Sequence, residues 1–299
     1  MLDDGLFYRP RHGRPPQTTS VLAGFGPSIW RPPARRRRSL PSPHIVDCRM
    51  GIKWRARRGS SALGRTAADG QRRRARTVLA RLAKAHPDWG PTLEFSTPFE
   101  LLVATILAAQ AQDERVNQVT RRLFRKYGGP ADYVAVAAGE LERDIHETGF
   151  FRQKAKAIRA CCQQILTEHG GEVPNDMERL VGLHGVGRKT ASIVLGNALG
   201  VPAVAVDRHV SRVAERLRLS RGKGPDRIEE DLRALYPKRD WVKATWCLVL
   251  HGRRICTPTP KCWVCPVSDL CPYPMKTSDP AARAVPRPTR SRAAPRPAR

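Results

Sequence analysis

Acidic residues are what this chain is short of: 27 Asp and Glu stand against 54 Lys and Arg, a formal net charge of +27. That shortage excludes an ordinary self-neutralising surface and points to a polyanionic partner. Long apolar runs are missing too. Nothing approaches the roughly 18 consecutive apolar residues that a membrane helix requires, and Met1-Leu2-Asp3-Asp4 has neither the basic nor the apolar region of a secretory signal. No membrane partner and no secreted location are expected. Strand signals are also scarce. The one candidate, Val201 to Val206, is short and interrupted by Pro202, so the chain reads as all-α.

The basic excess sits at the ends. Residues 1–76 hold 18 Lys and Arg against 4 Asp and Glu, residues 276–299 hold 7 against 1, and residues 77–275 hold 29 against 22. Residues 1–70, rich in Arg, Pro, Gly and Ser, show no apolar periodicity long enough to bury a core and read as a disordered basic leader. Such a leader is an arm adding DNA affinity, an organelle address or an over-extended reading frame. Residues 276–299, alternating Pro, Ala and Arg, read as a disordered basic tail.

Eight cysteines are present, but Cys256, Cys262, Cys265 and Cys271 crowd into sixteen residues while Cys48, Cys161, Cys162 and Cys247 are scattered. That distribution favours a metal site in a reducing compartment over a disulfide framework. Zinc sites usually pair two Cys-x-x-Cys knuckles across a spacer, and only one knuckle exists here. Four thiolates on one loop suit a [4Fe–4S] cluster. Cys161, Cys162 and Cys247 lie in apolar helical stretches and read as core thiols.

Between the ends the periodicity is helical. Val78, Leu79, Leu82 and Ala83 mark a helix over 72–86, stopped by Pro87. Thr97-Pro98-Phe99-Glu100 combines a capping box with proline at the first helical position, ahead of the apolar run Leu101 to Ala109. Val116, Val119, Leu123 and Phe124 form one stripe; Ala155, Ile158, Cys162, Ile165 and Leu166 form another. Further capping boxes are expected at Asn175 to Glu178 and at Asp226 to Glu229.

Leu183-His184-Gly185-Val186-Gly187-Arg188-Lys189-Thr190-Ala191 joins two helical segments through a turn too tight for side chains at both glycines. A backbone that approaches closely, followed by the positive end of a helix, makes an anion site of phosphate size. Gly185, Val186, Gly187 and Arg188 are therefore candidates for holding such an anion, which in the helix-hairpin-helix motif that this string resembles is a DNA phosphate. Lys189 reads three ways, as a solvated lysine, a phosphate contact or a nucleophile whose charged form the helix terminus and Arg188 disfavour. Asp207, taken alone, is a helix N-cap.

The hairpin string, with Ala205-Val206-Asp207-Arg208-His209-Val210 following it, resembles the helix-hairpin-helix superfamily of DNA glycosylases, and most closely its endonuclease III branch. The resemblance covers residues 72–275 and includes Phe95 to Leu102, Ala109-Gln110-Ala111-Gln112-Asp113, Gly171-Glu172-Val173-Pro174 and His251-Gly252-Arg253. It implies a six-helix barrel over 92–203, with the hairpin at 177–199. It also implies an iron–sulfur cluster domain built from an N-terminal helix (71–91) and residues 204–275. The implied function is that of a bifunctional DNA N-glycosylase and abasic-site lyase of base excision repair, removing oxidised pyrimidines from duplex DNA. Lys189 would form a Schiff base with the sugar C1′ and Asp207 would assist. Cys256, Cys262, Cys265 and Cys271 would hold a [4Fe–4S] cluster, although five residues separate the first pair where the family usually has six.

Reaching C1′ requires extruding the nucleotide and filling the gap. The family matches Gln110 and Phe150 to that task, Phe150 reading equally well as a core aromatic. Double-stranded DNA with damaged pyrimidines or abasic sites is the implied partner, the protein acting as a monomer on the nucleoid in the cytoplasm; the basic leader leaves an organelle address open. Two other readings stand beside this one: an adenine or uracil mismatch glycosylase, and a non-catalytic helix-hairpin-helix DNA-binding protein.

Overall fold

The computed structural model describes residues 61–283, with side chains from 68 to 281; what the sequence suggests for residues 1–60 and 284–299, Cys48 included, lies outside the described residues. Among the described residues every regular element is helical, and Val201 to Val206 belongs to none.

Helix α1 (Ser61–Ala85) begins well before residue 72, so the last ten residues of the leader, expected to lack structure, are helical. Ala75, Val78 and Leu82 in its second half are fully buried. An anchored helix extends without a new nucleation step, and Ala62, Ala67 and Ala68 favour that extension despite Gly64 and Gly70, which cost about 1 kcal/mol each. The far end departs from expectation likewise. Lys276 Nζ donates to Ser268 O at 2.7 Å and Cys262 N donates to Thr277 Oγ1 at 3.3 Å, so the first residues of the tail pack on the cysteine loop. Side-chain bonds of this kind leave no trace in composition.

The first core lies within one unbroken stretch of chain. Helices α2 (Pro98–Leu107), α3 (Asp113–Lys126), α4 (Pro130–Ala135), α5 (Ala138–Asp144), α6 (Phe151–Glu168), α7 (Met177–Gly182) and α8 (Arg188–Ala198) surround it. Thr97 caps α2 by accepting from Glu100 N at 3.1 Å, with Pro98 at the first helical position. Leu101, Leu102, Val103, Ala104, Ile106 and Leu107 are all buried, each large one stabilising the fold by about 1.5–3 kcal/mol. Leu102→Ala in this packing costs roughly 2–5 kcal/mol. Cys161 and Cys162 are buried here as core thiols, and burial pushes the Cys161 thiol up to about 12.

The second core joins the two ends of the described chain. Ala75, Val78, Leu79 and Leu82 of α1 pack with α9 (Arg208–Arg216), α10 (Pro225–Leu235), α11 (Trp241–Arg254) and Val267. Arg74 of α1 fixes the arrangement by donating to the carbonyls of Leu217 at 2.8 Å, Arg218 at 3.0 Å and Leu270 at 3.2 Å. The Leu217 and Arg218 oxygens lie at the end of α9, where carbonyls lack helical partners, and the Leu270 oxygen belongs to the cysteine loop. Cys247 is fully buried in this core.

Two of the three expected capping boxes resolve differently. Asp176, not Asn175, caps α7, accepting from Arg179 N at 2.8 Å. Helix α10 starts at Pro225 after Gly224; the fixed φ of proline sets the start, which leaves Asp226 inside the first turn and frees Glu229 for a contact described below.

Candidate active site

A cleft of about 810 Å³ separates the two cores. Its first wall carries Thr105, the loop from Ala108 to Asp113 and the face of α8 from Lys189 to Asn197; its second carries Ala205, Asp207, Arg208, His209 and the face of α11 from Val242 to Arg253. Lys189 and Asp207, eighteen positions apart in sequence, therefore line one cleft.

Four contacts hold the walls together. Arg188 donates through Nε and Nη2 to both carboxylate oxygens of Glu229, at 2.7 and 2.9 Å. Arg253 Nη1 donates to Asp113 Oδ2 at 2.9 Å, and Trp246 Nε1 donates to Asn197 Oδ1 at 2.8 Å. At Gly196 a Cβ would stand 2.7 Å from Val242 Cγ2, so glycine is what lets α8 approach α11. Glu229, taken for a capping residue, is instead a buried carboxylate whose ion pair engages the side chain of Arg188. What remains of Arg188 for an anion is its backbone amide and the Nη1 end of its guanidinium.

The hairpin explains its sequence only in part. Gly185 has φ +77° and a Cβ there would lie 2.9 Å from Ala157 Cβ, so glycine is required twice over. Gly187 is different. Its φ of −90° suits any residue and no atom stands within 4 Å of a Cβ placed on it, so its space is open to whatever approaches the amides. Val186 is buried beneath the turn. Gln164 of α6 steadies the hairpin by accepting from His184 N at 2.6 Å, a contact no local pattern announces.

Lys189 occupies the second position of α8, is exposed, and has no hydrogen bond or ion pair among the described residues. Asp207 caps α9: its Oδ1 accepts from His209 N and Val210 N, both at 2.8 Å, which leaves Oδ2 without a partner among the described residues. The cap reading is thus correct, and it accounts for one of the two oxygens. Beside it, burial holds His209 below the ordinary histidine range, and Arg212 Nη2 lies 3.1 Å from its Nδ1. Gln110 lines the cleft with a left-handed φ of 55°. Phe150 does not line it, and is 59% exposed with φ 47°, so it is no core aromatic.

Helix α9 runs from Asp207 to the cysteine loop. Arg212 Nε donates to Cys256 O at 2.9 Å and Nη2 to Gly252 O at 2.7 Å; Arg216 Nη1 donates to Thr257 O at 2.6 Å and lies 3.4 Å from Cys256 Sγ. Cys256, Cys262, Cys265 and Cys271 line one small, almost wholly apolar cavity and none is in a disulfide. Burial pushes the Cys265 thiol up to about 11, and the other three sulfurs add to the rise. Thiols so placed ionise when a strong cation meets them. The shortened first spacing is closed by Lys261 N donating to Ile255 O at 2.9 Å. In the motif before the loop, Gly252 admits α9, a Cβ there standing 2.9 Å from His209 Cβ. His251 is buried between His86 and Cys265.

A helix-hairpin-helix turn whose lysine has no partner among the described residues, sharing one cleft with a helix-capping aspartate, marks the site of a DNA-repair class. Residues 103–238 match the family described as HhH-GPD superfamily base excision DNA repair protein. Endonuclease III of Synechocystis is 46% identical over 207 residues, covering 68% of this chain and 93% of the relative. Endonuclease III of Bacillus subtilis is 47% identical over 195 residues, covering 64% and 89%. The solved structure of a trapped endonuclease III–DNA covalent intermediate superposes with a TM-score of 0.65 at 42% identity, covering 68% of this chain and 96% of that one. The chain belongs to the endonuclease III family within the HhH-GPD superfamily.

Proposed function

We propose that this chain is a bifunctional DNA glycosylase and abasic-site lyase of base excision repair, acting as a monomer on oxidised pyrimidines in duplex DNA within the nucleoid-bearing cytoplasm. The observation that carries the reading is the cleft shared by Lys189 and Asp207, where among the described residues the lysine has no partner and one carboxylate oxygen of the aspartate accepts no hydrogen bond.

In this reading the neutral Lys189 amine forms a bond to C1′ as the C1′–N bond to the base breaks, and the base departs with a proton. The free oxygen of Asp207 faces the positive charge that develops on the sugar and passes protons between base, amine and ring oxygen. Loss of a C2′ proton from the resulting imine expels the 3′ phosphate. The open amides over Gly187 and the first turn of α8 take a DNA phosphate, while Gln110 and Phe150 enter the gap left by the extruded nucleotide.

The four thiols fit an iron–sulfur cluster. All four sulfurs share one cavity. Four thiols on one loop with a single Cys-x-x-Cys knuckle suit a cluster, whereas zinc sites usually pair two knuckles across a spacer. Cys256, Cys262, Cys265 and Cys271 would hold it, and its contribution is to cross-link the loop to α9 through the contacts of Arg212 and Arg216.

Duplexes carrying thymine glycol or an abasic site, incubated with and without borohydride, test the proposal. The expected result is strand cleavage on the 3′ side and a covalent adduct with borohydride. Cleavage without an adduct, or binding without cleavage, would overturn it.

A further inference from the structure

Lys154 of α6 is 5% exposed and meets no carboxylate among the described residues. Its ammonium donates instead to two carbonyls, Leu107 O and Thr148 O, each at 2.8 Å. Burying a cation without an anion is costly, and burial lowers the pKa of this lysine. What offsets that cost is where the two oxygens lie. Leu107 is the last residue of α2, whose carbonyl end carries partial negative charge, and Thr148 ends the 3-10 turn at His146–Thr148. Three residues beyond Leu107 is Gln110, and two beyond Thr148 is Phe150.

Only three non-glycine residues among those described have positive φ: Gln110 at 55°, Phe150 at 47° and Arg218 at 48°. A left-handed backbone at such residues persists where the surroundings over-determine it. Two of the three follow the carbonyls that Lys154 holds, and those oxygens stand no further apart than twice 2.8 Å. The sequence shows none of this, because Lys154 looks like any lysine on the polar side of a helix.

We propose that Lys154 is a positioning residue, tying the loop of Gln110 to the loop of Phe150 so that both side chains meet the opened duplex as one preset wedge. The inference rests on the reading that Gln110 and Phe150 enter the gap. It assigns Lys154 no contact with DNA.

The test uses the full-length cluster-loaded protein and compares borohydride trapping rates on an abasic site in duplex and in single-stranded DNA. A duplex with 2-aminopurine opposite a tetrahydrofuran abasic analogue reports unstacking. Lys154→Met should lower the duplex-to-single-strand ratio at least tenfold and suppress the 2-aminopurine rise, because only duplex DNA must be opened. If that variant folds poorly, Lys154→Gln, whose shorter neutral amide can serve one carbonyl but not both, unties the loops at less cost and should move the ratio the same way. Combining either with Phe150→Ala should add little to the larger single effect, the signature of residues acting as a unit.

A variant that lowers both rates equally would reduce Lys154 to a structural lysine and overturn the proposal. So would an unchanged ratio in folded Lys154→Met while Gln110→Ala and Phe150→Ala lower it. If those two alanine variants leave the ratio intact, the wedge reading itself fails, and the proposal with it.

Discussion

The first core is built from residues 101–203 in one unbroken stretch, whereas the second gathers α1 and residues 204–267 from either side of it. The two also differ in what they contribute. The contiguous core presents the hairpin, Lys189, Gln110 and Phe150; the discontinuous one presents Asp207 and the cysteine loop. Neither holds a complete site. In the proposed mechanism catalytic competence therefore depends on how the cores dock, which falls to the Arg188–Glu229 pair, the Arg253–Asp113 pair, the Trp246–Asn197 bond and the close approach at Gly196.

The sharpest way to break this division of labour is at the proposed nucleophile. Lys189→Gln keeps a polar side chain of similar length on the first core, so duplex binding should survive in a gel-shift assay while borohydride trapping disappears. A persisting adduct would point to another amine. Next in size is Asp207→Asn on the second core. The amide oxygen still caps α9, so helix content by circular dichroism should hold, while base release falls roughly 10²- to 10⁴-fold. Unfolding of this variant would mean that capping is all Asp207 does.

Cys262→Ser sharpens the comparison in stability. Losing one thiolate should cost the visible absorbance and bound iron, and hydrogen exchange should quicken in α1, α9 and α11 while α2 and α6 stay protected. Metal analysis giving one zinc and no iron in the unaltered protein would remove the basis for a cluster. A smaller effect is expected at the docking contact. Glu229→Gln leaves Arg188 with a neutral partner, and because Arg188 is half exposed the loss should be about 1–2 kcal/mol, between a surface pair and a buried one. A melting curve would read it, and hairpin affinity for duplex should weaken alongside.

The smallest change should follow removal of residues 1–60, which carry 13 Lys and Arg against 3 Asp and Glu. Turnover at an abasic site should be retained, and the slope of log affinity against log salt should flatten as fewer counterions are released. Loss of cleavage would tie the leader to the catalytic fold.

Legibility in the sequence followed locality. The apolar run after Thr97 and Pro98, the stripe of α6 and the hairpin string could all be read, because each is written within a turn or two of helix and binds to itself. Glu229 was misread for the same reason: a carboxylate three positions after Asp226 is the local sign of a capping box, and nothing nearby announces an arginine forty-one positions upstream. Lys154 and Gln164 were silent, since their partners are carbonyls and amides, which every residue carries. The helical start at Ser61 was hidden behind Gly64 and Gly70, whose unfavourable propensity is overcome only once Leu82 has a core to enter.

By itself the sequence determined the helical class, the glycine-bearing turn between two helices, the functional groups offered at Lys189 and Asp207, and the four thiols, because residue type and short spacing settle what a group can do. The tertiary structure alone decided that Lys189 and Asp207 share a cleft, that Arg188 is paired off to Glu229, that Gly187 faces open space, and that one buried ammonium serves both left-handed loops. Those outcomes depend on which distant surfaces exclude water against each other, and that is a property of the packed chain and not of any segment of it.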